Sequence, residues 1–321
     1  MRHLVFLGLV LLLSCKDDLP PVPTEIFTEI IGDNLFEKGF ALTPLDPAIV
    51  QQGGGFEKTY LDTLDFEKDG SSPVWMLAQW QSKYDLSETQ AALALDGSIE
   101  YVNEGKKIAL YSDHSLWLEV DASEEYDSAR VSGQPWPHLL IAQNFYESGP
   151  KVGEADRLDF SMAIKLEKCE NKMEGRSYNV SLHTAQSPFY FMLVNDNVNS
   201  ADYSQRIWFG LPSFDYRYTT LQDDEIVLWD IGTSTFIYGV PETTIWGNVS
   251  FQDGNWHETR IDLKPLIIRA LEAMKEHDVF INTVPEDMII SSMNFGWEVP
   301  GTFDAAIRVK GISLKSVQVS Q

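Results

Sequence analysis

The chain has 321 residues, 44% of them hydrophobic and 22% charged, with 48 acidic against 24 basic residues and a formal net charge of −24. That balance excludes a nucleic-acid-binding surface and disfavours anionic lipid heads and strongly anionic ligands. With 9 Trp, 12 Tyr and 17 Phe and no low-complexity tract, the chain is not disordered and can bury the core of one large domain or two small ones.

The N-terminus opens with the basic pair Arg2 and His3, followed by an apolar run from Leu4 to Leu13. A bilayer span needs about 20 residues, so this run has the length of a signal-peptide core instead. It ends in Leu12-Leu13-Ser14-Cys15. This resembles a lipobox, with an apolar residue at −3, a small residue at −1 and the lipid-bearing cysteine at +1. The resemblance implies a signal peptide over 1–14, cleavage before Cys15 and lipidation of Cys15. Lys16-Asp17-Asp18 resembles an export tag of bacterial lipoproteins displayed outward, which implies an outer-membrane anchor with the domain facing the cell exterior. Residues 15–30 carry Pro20, Pro21 and Pro23 and read as a stiff tether.

Residues 31–105 show a mixed pattern, with Gly53-Gly54-Gly55 marking a turn. No structure is assigned to them beyond packing on the main body, as Trp75 and Trp80 suggest. From 106 to 321 the pattern becomes that of strands. In Ser115–Asp121, Leu116, Leu118 and Val120 share one face, and Trp117 and Glu119 the other. In Arg157–Glu167, Leu158, Phe160, Met162, Ile164 and Leu166 alternate with polar or small residues. Tyr178, Val180 and Leu182 alternate with Asn179, Ser181 and His183, and Ile245, Gly247, Val249 and Phe251 with Trp246, Asn248 and Ser250. Period-two alternation puts one face in a core and the other outside. Many such strands separated by Gly, Pro and Asn turns predict an all-β antiparallel sandwich.

One helix interrupts the series. After Pro265, the residues Ile267, Ala270, Leu271 and Met274 form one apolar stripe at helical spacing. Final strands are predicted over Met288–Trp297 and Ala305–Val319.

Four segments give the region from about 130 to 320 a family resemblance. They are Trp136-Pro137-His138-Leu139-Leu140, Arg206-Ile207-Trp208-Phe209, Trp246-Gly247-Asn248-Val249-Ser250-Phe251, and Asn294-Phe295-Gly296-Trp297-Glu298-Val299-Pro300-Gly301. Their order resembles the concanavalin-like jelly roll of glycoside hydrolase family 12. The resemblance implies that Glu298 stands where that family has its acid/base glutamate. It implies a nucleophilic carboxylate a few residues before Ile207, but Tyr203-Ser204-Gln205-Arg206 offers none. Asp215 or Glu119 could supply the second carboxyl only from another strand; retaining glycosidases need the pair about 5 Å apart.

On this basis the candidate catalytic residues are Glu298 and Asp215. Glu298 shares strand parity with Asn294, and a carboxylate with an amide suits sugar hydroxyls. Trp117 with Glu119, and Trp246 with Asn248, occupy faces away from their apolar neighbours, where an indole can stack on a sugar ring. The expected ligand is therefore a polysaccharide or oligosaccharide bound in a groove. Three readings stay open: binding without cleavage, a hydrolase or lyase using Glu298, and an adhesive protein with no sugar site.

Other features carry less chemistry. Besides Cys15 only Cys169 is present, so no intramolecular disulfide is expected and Cys169 reads as a small core hydrophobe. His183 reads as structural, and the six His have no zinc spacing. No cofactor is expected. Ca²⁺ at Asn195–Asp202 is the one candidate, against a plain Asx-rich turn. Asp62-Thr63-Leu64 and Asp127-Ser128-Ala129 resemble a bacterial O-glycosylation tripeptide.

Overall fold

A computed structural model describes residues 24–52, 60–66, 71–173 and 177–320. The expected signal peptide, Cys15 and most of the tether lie outside the described residues, as does the 53–55 glycine turn.

In chain order the strands are β1 (Thr24–Glu29), β2 (Phe40–Leu42), β3 (Asp62–Leu64), β4 (Trp75–Ala78), β5 (Ala92–Leu93), β6 (Ile99–Val102), β7 (Lys106–Leu110), β8 (Leu116–Asp121), β9 (His138–Asn144), β10 (Arg157–Asn171), β11 (Gln186–Asn195), β12 (Arg206–Asp215), β13 (Ile226–Asp230), β14 (Thr235–Gly239), β15 (His257–Asp262), β16 (Met288–Glu298) and β17 (Phe303–Ser320). The helices are α1 (Pro47–Gln52), α2 (Ala122–Glu125), α3 (Glu242–Trp246) and α4 (Leu263–Lys275). An eight-stranded sheet runs β15-β10-β17-β8-β7-β6-β5, with β1 added alongside β17. A nine-stranded sheet runs β13-β14-β12-β11-β16-β9-β4-β2-β3. All pairs are antiparallel except β12 with β14 and β2 with β4. This is the all-β sandwich that the alternation predicts.

The two inner faces meet through aromatic side chains. Phe160 of β10 contacts Phe189 and Phe191 of β11, with ring centroids 4.9 and 5.5 Å apart. Trp297 of β16 is fully buried and donates from Nε1 to the Leu118 carbonyl of β8 at 3.0 Å, crossing from one sheet to the other. An indole buried this deeply needs such a partner for its N–H. Helix α4 buries the predicted stripe of Ile267, Ala270, Leu271 and Met274, and Leu263 ahead of it. Its first turn is capped by Asp262, whose carboxylate accepts from the Lys264 amide. No helix among the described residues is long and apolar enough to cross a membrane.

Residues 31–105 extend both sheets. They supply β2, β3 and β4 to the nine-stranded sheet and β5 and β6 to the other, and their Phe36, Phe40 and Trp75 rings pack together in the core.

Two expected strands do not form. Over 178–183 the chain turns: the Asn179 carbonyl accepts from the amides of Leu182 and His183, and its side chain accepts from the Ser181 amide. Local Asx bonding outcompetes a ladder here. Over 245–251 the chain ends α3 at Gly247, with φ 67°, and then makes a short 3-10 turn over Phe251–Asp253. Cys169 is half-buried against the core, and burial beside Asp215 and Glu170 pushes its thiol up to about 12. Held as a neutral thiol, it lacks the thiolate form that acts as a nucleophile.

Candidate functional site

Strand register assembles a polar row on the outer face of the nine-stranded sheet. Directly opposed residues share a face. Glu298 of β16 stands opposite Gln186 of β11 on one side and His138 of β9 on the other. Gln186 in turn stands opposite Asp215 of β12. The row therefore reads His138, Glu298, Gln186, Asp215 across four adjacent strands. Asp215 and Glu298 are two strand spacings apart, roughly 10 Å along the row.

Hydrogen bonds link three members of this row. Glu298 Oε2 accepts from Gln186 Nε2 at 2.9 Å. Gln186 Oε1 accepts from Arg217 Nη2 at 3.4 Å. Arg217 is forked onto Asp215: its Nε donates to Oδ1 and Oδ2 at 3.0 Å each, and its Nη2 also donates to Oδ2. Asp215 Oδ1 additionally accepts from the Thr184 hydroxyl at 2.6 Å and from the Arg217 amide at 2.9 Å. Four donors thus make five hydrogen bonds to the Asp215 carboxylate, about the full lone-pair capacity of the group.

A second row lies four residues along β16, about 13 Å away at ordinary strand rise. Here Asn294 stands opposite Tyr190 of β11 and Ala142 of β9. Tyr190 packs against Trp208 of β12 with centroids 5.9 Å apart, and Trp208 Nε1 donates to Thr233 Oγ1 at 3.1 Å. Gly210 makes room for this, because a Cβ there would sit 3.0 Å from the Tyr190 ring. Burial and the negative charge of Glu298 push the Tyr190 hydroxyl upward, so it stays a donor. Between the rows, Gly296 faces Leu140 and leaves no side chain on the sheet. Its φ of 149° and a Cβ position 2.1 Å from the Leu139 carbonyl both require glycine.

At the β9 end, His138 stacks on Trp136 at 5.7 Å and meets the edge of Trp80 at 6.0 Å. Arg130 lies 4.7 Å over the Trp136 ring. The His138 Nδ1, Trp136 Nε1 and Asn294 Oδ1 atoms are buried and have no hydrogen-bond partner among the described residues.

The sequence-derived candidates separate. Glu298, Asp215 and Asn294 fall on this one face. Trp117 and Glu119 lie on the outer face of the other sheet. There Trp117 Nε1 donates to Glu119 Oε2 at 2.8 Å, and Glu119 pairs with Lys168, so the whole sandwich stands between them and Glu298. The expected exposed Trp246 is a core residue, 5% exposed, donating to the Pro212 carbonyl at 2.8 Å and packed edge-on against Phe251 at 5.2 Å. The strand parity that placed it outside does not apply to a helix. Asn248 is exposed on the loop after α3. His183 is buried and structural, its Nδ1 accepting from the Asn179 amide and its Nε2 bonded to the Arg130 carbonyl.

In the Asn195–Asp202 loop, Asp202 accepts from Asn282 and Thr283, and the Asn195 amide donates to Ser200 and Thr283. No group of three or more His, Cys, Asp or Glu placed to hold a metal occurs among the described residues.

The sequence reading missed Gln186, Arg217, Tyr190, Trp208 and His138. The alternation of Phe189, Phe191 and Leu193 against Tyr190 and Met192 was available to locate Tyr190, and Trp208 alternates with Ile207 and Phe209 in the same way. Nothing local marks Arg217.

No family model and no curated protein matches the chain. Among solved structures it is similar to an engineered cellulase derived from that of Rhodothermus marinus, at 12% identity and TM-score 0.39, over 77% of this chain and 100% of that one. It is similar to the family 12 xyloglucanase of Bacillus licheniformis at 12% identity and TM-score 0.36, over 72% of this chain and 97% of that one. A family 11 xylanase of Neocallimastix patriciarum matches at 8% identity and TM-score 0.39, over 76% and 100% respectively. The sandwich architecture of this chain stands on its own strand order and register.

Proposed function

We propose that this chain is a lipid-anchored cell-surface protein that binds a neutral polysaccharide or oligosaccharide on the outer face of the nine-stranded sheet without cleaving it. The observation that carries the reading is the state of Asp215. Its two oxygens are taken up by Arg217 and Thr184, so it has no lone pair left to attack a sugar or activate a water. Glu298 then acts alone, with one oxygen held by Gln186 and the other available to accept from a sugar hydroxyl. One carboxylate can bind; glycoside hydrolysis in its usual form needs two.

The surroundings suit that role. Tyr190 and Trp208 provide aromatic area beside Asn294, and such contacts add about 0.5–1.5 kcal/mol each. Affinity built from a few of them falls in the micromolar to millimolar range and rises with chain length. A net charge of −24 favours neutral over uronic or sulfated chains.

The second reading, a glycoside hydrolase, draws on the flanking of Gln186 by Asp215 and Glu298. Inverting enzymes separate their carboxyls by about 6.5–9.5 Å, which a two-strand spacing approaches. Gel retention and reducing-end release on xyloglucan and barley β-glucan separate the two. Retention with no release supports binding. Release that disappears in E298Q replaces it with the enzyme, and neither retention nor release on any neutral glycan removes the sugar site.

A further inference from the structure

We infer that Arg217 is a positioning residue for the Glu298 carboxylate, acting through the side-chain amide of Gln186. The inference rests on Glu298 as the carboxylate that meets the ligand. A glutamine amide has two orientations of almost equal shape, and they differ in whether a carboxylate opposite meets a donor or an acceptor. In one, Gln186 donates to Glu298 and holds Oε2. In the other, an amide oxygen faces a carboxylate oxygen and turns Glu298 away. A guanidinium has donors only, so Arg217 Nη2, lying 3.4 Å from Gln186 Oε1, selects the first.

Arg217 can do this only if it is itself fixed, and an exposed arginine ordinarily is not. Here the Asp215 fork immobilises it: the Arg217 side chain is 33% exposed, while Asp215 is 12% exposed and anchored by Thr184. The order of control runs Thr184, Asp215, Arg217, Gln186, Glu298 across β12, β11 and β16. Fold stability gives little reason for this chain of five. Backbone ladders already join the three strands, and a part-exposed ion pair contributes little to stability. Its specific product is one Glu298 oxygen held and the other presented.

The test needs no ligand for its primary readout. In the full mature chain, deuterated and ¹⁵N-labelled, the Gln186 side-chain amide signals are assigned by their loss in Q186A. In R217M these signals should move as far as they do in E298A, and R217K, which keeps a donor without the fork, should return them part of the way. The Trp75 and Trp297 indole signals should stay in place. Retention on barley β-glucan, the probe, should fall about tenfold in R217M. Unmoved Gln186 signals in R217M overturn the inference, and so do core indole signals that move with them, since Arg217 would then be structural. A shifted amide in R217M alongside a wild type that is not retained by the probe upholds the positioning role and counts against the glycan reading alone.

Discussion

Lys106 Nζ lies 2.7 Å from Glu125 Oε1, with the two side chains 0% and 2% exposed, so β7 and α2 share a fully buried ion pair. The Lys106 ammonium also donates to the Tyr84 carbonyl, and the other Glu125 oxygen takes the Lys83 amide. Burial draws the Lys106 amine below its ordinary value, and Glu125 opposes this. Removing one partner leaves the other charge buried and alone, which costs about 3–5 kcal/mol. K106M and E125L should each lower chemical-denaturation stability by that amount. The double variant K106M/E125L should recover most of the loss, because no unpaired charge remains. A double variant as unstable as the sum of the singles would refute the pairing.

Glu242 sits at the start of α3, 7% exposed, with Oε2 accepting from the Gln222 amide at 2.7 Å. It lines a small cavity of about 20 Å³ together with Asp215, Ser213 and Phe251. Burial, with a smaller push from Asp215, raises its carboxyl to about 7 from an ordinary 4.5. The folded state therefore holds this proton more tightly than the unfolded state. Its contribution is fully present below pH about 4.5 and is lost as pH rises through about 7, a change on the order of 3 kcal/mol. E242Q should flatten the stability profile between those limits and stabilise the protein above pH 7. A profile unchanged by E242Q would show that this carboxyl titrates normally.

Three tryptophans should behave differently when truncated. W246A removes a buried indole and should cost about 3–5 kcal/mol of stability. W117A, on the outer face of the other sheet, should leave glycan retention at the wild-type level. W208A should weaken retention roughly 2- to 13-fold, the equivalent of about 0.5–1.5 kcal/mol of aromatic contact. Reduced retention in W117A with none in W208A would move the binding face to the eight-stranded sheet.

The proposed anchor is checked by C15A. The variant should appear in soluble fractions and lack an acyl-bearing N-terminal peptide by mass spectrometry. Wild-type protein recovered from membranes with no acyl chain on Cys15 would remove the lipid anchor.

The sequence by itself determined the sandwich. In β8, β10, β16 and β17 the apolar alternation runs long enough that only a two-faced strand buries it, and in α4 the 267–270–271–274 stripe is a helical period. Where the alternation is short it does not decide between conformations. At 178–183 an Asx turn satisfied the backbone locally, and at 245–251 a helix buried Trp246 on what parity marked as the outside. Glu298 and Asn294 were legible together because they share one strand and differ by four residues. Their partners were not, because Gln186 and Asp215 reach Glu298 only through register with β11 and β12, and Arg217 only through a loop beyond β12. Register and loop placement are fixed by contacts between residues far apart in the chain. Period two along a single strand says which face a side chain takes and nothing about what stands beside it. The same limit hid the separation of Trp117 from Glu298: each has correct outward parity, but on opposite sheets, and only the packing of Phe160 and Trp297 between those sheets settles which outside is which.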